Sequence, residues 1–367
     1  MHFLRCLPLA FVAGALTSGT LRSQVESPPD FLIGHTEHRT DLPGGRHANV
    51  KTRRAVVVKA DGTGRRVLAE ELTREADYST QFAGWSPDGK AARLSRYWKS
   101  EEVGKWEEEH KDFRTTGDGV RHDIYLVDLA SGKATKQSPV EDKKKSELIR
   151  NLVHGLSISP DGKRSAYEDR GYRLYLADGD GSNAKQVKTG LRFHLMPSWS
   201  PDGSWVLFVA GEHYDCHPYV IKADGTGLKK LASRNGYRGV IDVLDVYDFH
   251  DGSSDLPVWA ADSKSVFYTA KVGRNVELFR VTLDGKSVKF SDGPAGAMHY
   301  HPAPSPDGKW LAYGSKRDGV RQLYVMRLSD KKEWRITNLK KGRAAMWPQW
   351  QPAAKKPRDG GRTVERT

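Results

Sequence analysis

Short apolar runs recur along the chain, each bracketed by the same kinds of turn. WVLFVA (205–210), SVFYTA (265–270) and WLAYGS (310–315) each follow an Asp-containing turn and lead into a segment where apolar residues alternate. Those segments are DIYLVDL (123–129), RLYLADG (173–179), PYVIKADG (218–225), ELFRVTLDG (277–285) and QLYVMRLSD (322–330). Alternation predicts half-buried strands, and the continuous runs predict strands covered on both faces. A turn and a more polar strand then close each unit, as in LKKLAS (228–233) and EWRITNL (333–339).

The turns share one frame: WSPDGK (85–90), ISPDGK (158–163), WSPDGS (199–204), WAADSK (259–264) and PSPDGK (304–309). When Asp88, Asp161, Asp202, Asp262 and Asp307 are aligned, Trp85, Ile158, Trp199, Trp259 and Pro304 fall three residues earlier. Pro197, Pro257 and Pro302 fall five residues earlier. Pro presets φ, Asp holds the following backbone, and Gly takes φ above zero, so the motif predicts a tight hairpin between the first two strands of a unit. Four strands per unit at a spacing of roughly 40 residues is the signature of a β-propeller blade.

The chain ends complete the pattern. AVVVKADGTGRRVLA (55–69) nearly repeats YVIKADGTGLKKLA (219–232), FLIGHTE (31–37) supplies the strand before it, and MWPQWQP (346–352) supplies the missing innermost strand. The expected fold is all-β, a six-bladed β-propeller with blade one closed by both termini, which leaves no open sheet edge at the junction. Residues 1–24 run from MHFLR through CLPLAFVAGAL to TSGTLRSQ, the charged, apolar and small-polar parts of a secretory signal. The apolar run falls short of the roughly 20 residues that span a bilayer, and no other segment reaches that length. The expected organisation is a signal peptide (1–24), a propeller (25–352) and a disordered basic tail (353–367), in a periplasmic or secreted protein. Cleavage removes Cys6 and leaves Cys216 without an internal disulfide partner.

Composition agrees with this. Ten Trp, 14 Tyr, 11 Phe and 36 Gly exclude a disordered chain and a helical bundle. The formal charge of +13 invites a nucleic-acid reading, which its placement along the chain opposes. The two longest insertions, 97–121 and 235–257, fall on the channel-mouth face, and the second sets Arg238 against Asp242, Asp245, Asp248, Asp251 and Asp255. An acidic mouth inside a basic rim is expected, disfavouring DNA and favouring a cation, a basic peptide or a neutral glycan.

Long loops on a rigid scaffold are where binding usually sits. Eight residues before the reference Asp lie His194 and His299; six before it lie Met196, Leu256, His301 and, by extension, Trp347. The candidate ligand-binding residues are His194, Met196, Asp245, Tyr247, Asp248, Asp255 and Trp347. His299 and His301 are two apart on an extended segment and are expected to point the same way, an arrangement able to chelate a divalent metal. The alternative is that these histidines only hydrogen-bond neighbouring loops. No other cofactor is expected, and a monomer is.

The frame H-x-P-x-W-S-P-D-G-K, an apolar strand, then L-Y-x-x-x-x-D-G resembles the Pro-Asp, WD40-like repeat of the TolB family over nearly all of residues 31–352. That resemblance implies an exported propeller that binds a protein, a peptide or a small ligand such as a glycan, without specific nucleic-acid contact or a transmembrane segment. His299-Tyr300-His301-Pro302 is also similar to the H-x-H-P motif of oligogalacturonate lyases, which implies a metal-dependent carbohydrate-active enzyme as the alternative. Here Gly296 stands where those enzymes carry a Gln, only Asp255 or His250 lies near the position of a further His, and no catalytic base is assigned. The nucleophile-elbow pattern G-x-S-x-G is absent, which opposes a prolyl-peptidase-like activity. A binding role is favoured over catalysis.

Overall fold

The computed structural model describes residues 27–110, 114, 117–137, 152–169, 171–212, 215–237, 240–241, 246–247 and 255–353. The expected signal peptide and nearly all of the expected tail lie outside these described residues. Six antiparallel four-stranded sheets succeed one another as blades. Blade two comprises Ser79–Trp85, Ala91–Lys99, Val120–Asp128 and Ala134–Lys136, and blade three Leu152–Ile158, Arg164–Asp169, Leu174–Asp178 and Lys185–Gln186. Blade four comprises Phe193–Trp199, Trp205–Glu212, Asp215–Lys222 and Lys229–Lys230. Blade five follows with Val258–Trp259, Ser265–Val272, Asn275–Thr282 and Ser287–Lys289, and blade six with His299–Pro304, Trp310–Ser315, Gln322–Arg327 and Glu333–Arg335. In blade one the last strand, Arg343–Trp350, lies innermost beside Leu32–Arg39, Arg54–Lys59 and Arg66–Val67. The closure read from the repeats is therefore the observed one. Ile33 pairs with Trp350, and the Gln351 N–H donates to the Leu32 carbonyl at 2.8 Å.

The Ser-Pro-Asp-Gly turns form as their chemistry dictates. Asp202 accepts from the Ser200 hydroxyl at 2.6 Å and from the Ser204 N–H at 3.0 Å, while Gly203 takes a φ of 73°. The same bonds recur at Asp88, Asp161 and Asp307. The tryptophan three residues before the Asp has a separate task. Trp85 Nε1 donates to the Gln349 carbonyl, Trp199 Nε1 to Ser157 and Trp259 Nε1 to Ser198, each at 3.1 Å, and Trp350 Nε1 donates to Ala303 at 2.8 Å. Each bond reaches the innermost strand of the preceding blade, so the repeated tryptophan ties neighbouring sheets together.

Between blades the core is continuous. Val206, Phe208 and Ile221 of blade four pack on Ala166, Leu174 and Leu176 of blade three, while Leu207 and Val220 turn the other way onto Val266, Tyr268 and Ala270 of blade five. Covering both faces of a sheet explains why its central strands read as unbroken apolar runs. The contact between blades one and two is tighter still: a Cβ added at Gly34 would lie 2.0 Å from Phe82 Cζ.

The structure corrects the reading of the mouth-side insertions as loops. The first contains helix α2 (Glu101–His110), and the connection within blade one contains helix α1 (Gly45–Val50). Helix-forming Glu and Lys fill the exposed positions of α2, and Val103, Gly104 and Glu107 supply a narrow buried face. The second insertion holds a short hairpin, Val240–Ile241 with Val246–Tyr247.

Candidate functional site

Proline cannot donate a ladder hydrogen bond, so within a sheet it is confined to edges and bulges. Pro197, Pro302 and Pro348 sit in innermost strands, and the register slips there, between Leu195 and Ser198, between Tyr300 and Ala303, and opposite the Gly34 to Thr36 step. The residue before each proline takes the left-handed conformation: Met196 at φ 52°, His301 at 49° and Trp347 at 56°. All three are half-buried. Bulky residues pay about 1–3 kcal/mol for such a backbone, and positions of this kind concentrate where side chains must be aimed.

Neighbouring blades hold the N–H groups that the bulges turn out of the ladder. The His301 N–H donates to Asp255 Oδ1 at 2.7 Å, the Trp347 N–H to His301 Nδ1 at 3.4 Å, and the Met196 N–H to Glu168 Oε1 at 3.3 Å. The rings of His301 and Trp347 lie 5.7 Å apart, and the Arg53 guanidinium stands 5.3 Å from the Trp347 ring. Blades six and one thus share a connected set of side chains along their innermost strands.

Other candidates support this surface from below. His194 is buried; its Nδ1 donates to the Tyr172 carbonyl at 2.8 Å, its Nε2 meets the Thr189 hydroxyl, and burial lowers its pKa. Asp255, 3 % exposed, accepts from the hydroxyl of Thr269 at 2.6 Å and that of Tyr237 at 3.3 Å, and lies 3.9 Å from Arg234. Asp245 and Asp248 lie outside the described residues, as does the side chain of Tyr247. The expected acidic character of that insertion therefore rests on its sequence alone.

The expectation that His299 and His301 point the same way is corrected. The left-handed bulge at His301 breaks the alternation that would align them. His299, 1 % exposed, has Nε2 3.3 Å from a Glu277 oxygen and packs edge-on to Tyr313, whereas His301 faces Trp347. Burial alone would raise the Glu277 pKa, but the adjacent His299 and hydrogen bonds from Ser291, Asn275 and the Gly293 N–H bring it down to about 2. Among the described residues no group of three or more His, Cys, Asp and Glu side chains is placed to hold a metal ion.

Sequence reasoning missed the blade one–two sector of the mouth. There α1 and α2 meet over Glu107, which is buried between Arg46 and Lys99, the latter at 2.5 Å. Burial opposes ionisation of Glu107, and hydrogen bonds from Arg46 and Lys99 overcome it and lower its pKa. Burial and the neighbouring Arg46 lower the pKa of Arg53 to about 10, leaving it charged at neutral pH. The contact sets Arg46, Arg53 and Lys99 around the single carboxylate of Glu107.

The fold and the mouth together define a closed six-bladed propeller of Pro-Asp repeats, an architecture suited to binding. Residues 157–356 match the family described as the TolB beta propeller domain, and the chain belongs to that family. It is similar to an oligogalacturonide lyase of Pectobacterium atrosepticum, 24% identical over 169 residues that cover 43% of each protein. It is also similar to the Tol-Pal system protein TolB of Methylococcus capsulatus, 26% identical over 141 residues, 34% of this chain and 33% of that one. The chain thus matches less than half the length of either relative. The crystal structure of TolB from Acinetobacter baumannii superimposes with a TM-score of 0.54 at 16% identity, covering 89% of this chain and 68% of that one, a likeness of fold.

Proposed function

We propose that this chain is an exported binding scaffold that engages a protein, peptide or small ligand at the channel mouth through Met196, His301 and Trp347. One observation carries the reading: three innermost strands hold a bulky residue in the left-handed conformation at the same repeat position. A purely structural bulge is served more cheaply by glycine or asparagine, so retaining Met, His and Trp at this cost fits a demand for their side chains. Tryptophan and methionine are also enriched in the buried centres of protein interfaces. The buried His194, Asp255 and His299 support these residues, and Asp245, Tyr247 and Asp248 are assigned to the same site on the sequence alone. Family membership and the leader-like residues 1–24 support a periplasmic or secreted location.

Retention from an envelope extract tests the reading. The His301→Asn and Trp347→Asn variants keep a residue that tolerates the left-handed backbone while removing the ring. A species held by the parent protein and lost by both variants supports the mouth as the site. Equal retention by parent and variants overturns it.

A further inference from the structure

The cavity between α1, α2 and the strands of blades one and two lies beside the strained residues and meets them where Arg53 stands against the Trp347 ring. It encloses about 110 Å³ and is lined chiefly by Arg46, His47, Arg53, Tyr97, Lys99 and Glu107. Lys51 and Asp77 complete its rim and pair with each other at 3.0 Å. Four fixed cations therefore face two carboxylates, an excess of two positive charges in a small, partly desolvated space. Glu107 is already shared between Arg46 and Lys99 and offsets the charge of Arg53 only in part.

Arg53 is the focus. Its Nη1 donates to Gln81 Oε1 at 3.2 Å and its guanidinium stands against the Trp347 ring, yet its buried Nε reaches no acceptor among the described residues. His47 Nε2 is buried in the same condition. Leaving buried polar groups unsatisfied costs roughly 1–3 kcal/mol each, and an arginine fork presents its donors in the spacing of an oxyanion. We infer that this cavity is a binding site for the carboxylate or phosphate group of a small anionic ligand, with Arg53 as its principal donor and Lys99 and His47 beside it. The site goes beyond the mouth reading and does not rest on it, because an anion can enter here with the ring empty.

Titration calorimetry of the full chain at low ionic strength, with sodium succinate and with inorganic phosphate as separate probes, tests the inference. Saturable heat with succinate alone identifies a carboxylate site, with phosphate alone a phosphate site, and with both a general oxyanion site. Arg53→Gln is expected to weaken the binding at least tenfold, and Val50→Glu, which sets a carboxylate at the cavity wall, to abolish it. Lys133→Gln, on a remote outer turn, is expected to leave it unchanged. Circular dichroism establishes that each variant is folded; if Arg53→Gln is not, Val50→Glu decides. No saturable heat with either probe, or undiminished binding in folded variants, overturns the inference.

Discussion

The backbone N–H of His301 in blade six donates to Oδ1 of Asp255 at the start of blade five, 2.7 Å away. The other oxygen of Asp255 accepts from Thr269, whose hydroxyl also accepts from Arg234 Nη2 at 2.6 Å. Arg234 is 1 % exposed, so Asp255 is both the clamp on a strained mouth residue and the counter-charge of a buried cation. Asp255→Ala is expected to cost about 3–5 kcal/mol, as when one partner of a buried ion pair is removed. Asp255→Asn keeps an acceptor and is expected to cost clearly less. Urea denaturation of the two variants checks the order; equal losses would show that the charge at Asp255, which both variants remove, carries nearly all of the effect and the retained acceptor little.

The interblade tryptophans give a second expectation. Trp199→Phe keeps most of the packing on Val206 and Phe208 but deletes the donor to Ser157. The loss expected is about 1 kcal/mol or slightly more, the net worth of one hydrogen bond plus an acceptor left unpaired. Chemical denaturation measures it, and a loss above about 4 kcal/mol would mean that the ring packs far more tightly than its polar tether implies.

Gly34→Ala tests the fit of blades one and two. The added methyl would overlap the ring of Phe82, which is 1 % exposed and has little room to withdraw. Overpacking of this kind costs about 1–3 kcal/mol, and pairing the change with Phe82→Leu is expected to restore part of it. A thermal midpoint unchanged in Gly34→Ala would contradict the close approach.

A pH dependence follows from His38. Burial, reinforced by the cations Arg53 and Arg321, lowers its pKa from 6.5 to about 3. The unfolded chain takes up a proton near pH 6.5 that the folded chain refuses until about pH 3. Stability from this group is complete above pH 6.5 and is lost as pH falls towards the folded value. Between pH 7 and 5 the loss amounts to about 2 kcal/mol. His38→Gln is expected to flatten that part of the profile; an unchanged slope would assign the acid sensitivity to other groups.

The fold was legible because each local rule repeats. The Ser-Pro-Asp-Gly turns, the tryptophan three residues before the Asp and the proline five before it are read by short-range chemistry, and each forms in the structure what its type requires. The prolines even mark the bulges at which Met196, His301 and Trp347 take the left-handed conformation. Pairing across space was not legible. An alternation argument aligned His299 with His301, and the bulge that the same proline enforces turned them apart. Helices α1 and α2 come from insertions in two different blades, so the buried Arg46–Glu107 contact that joins them has no signature in either stretch. Arg53 belongs to neither helix, and its role emerges only once Gln81, Trp347 and Lys99 surround it.

Partner contact is expected at the mouth and not on the face carrying the Ser-Pro-Asp-Gly turns. A photocrosslinking amino acid placed singly at Met196, His301 and Trp347, and for comparison at the turn residues Lys90, Lys163 and Lys309, tests it in the producing cell. Adducts of one common mass from the three mouth positions, with none from the turns, are the result expected. Adducts from the turn positions, with silence at the mouth, would contradict the account.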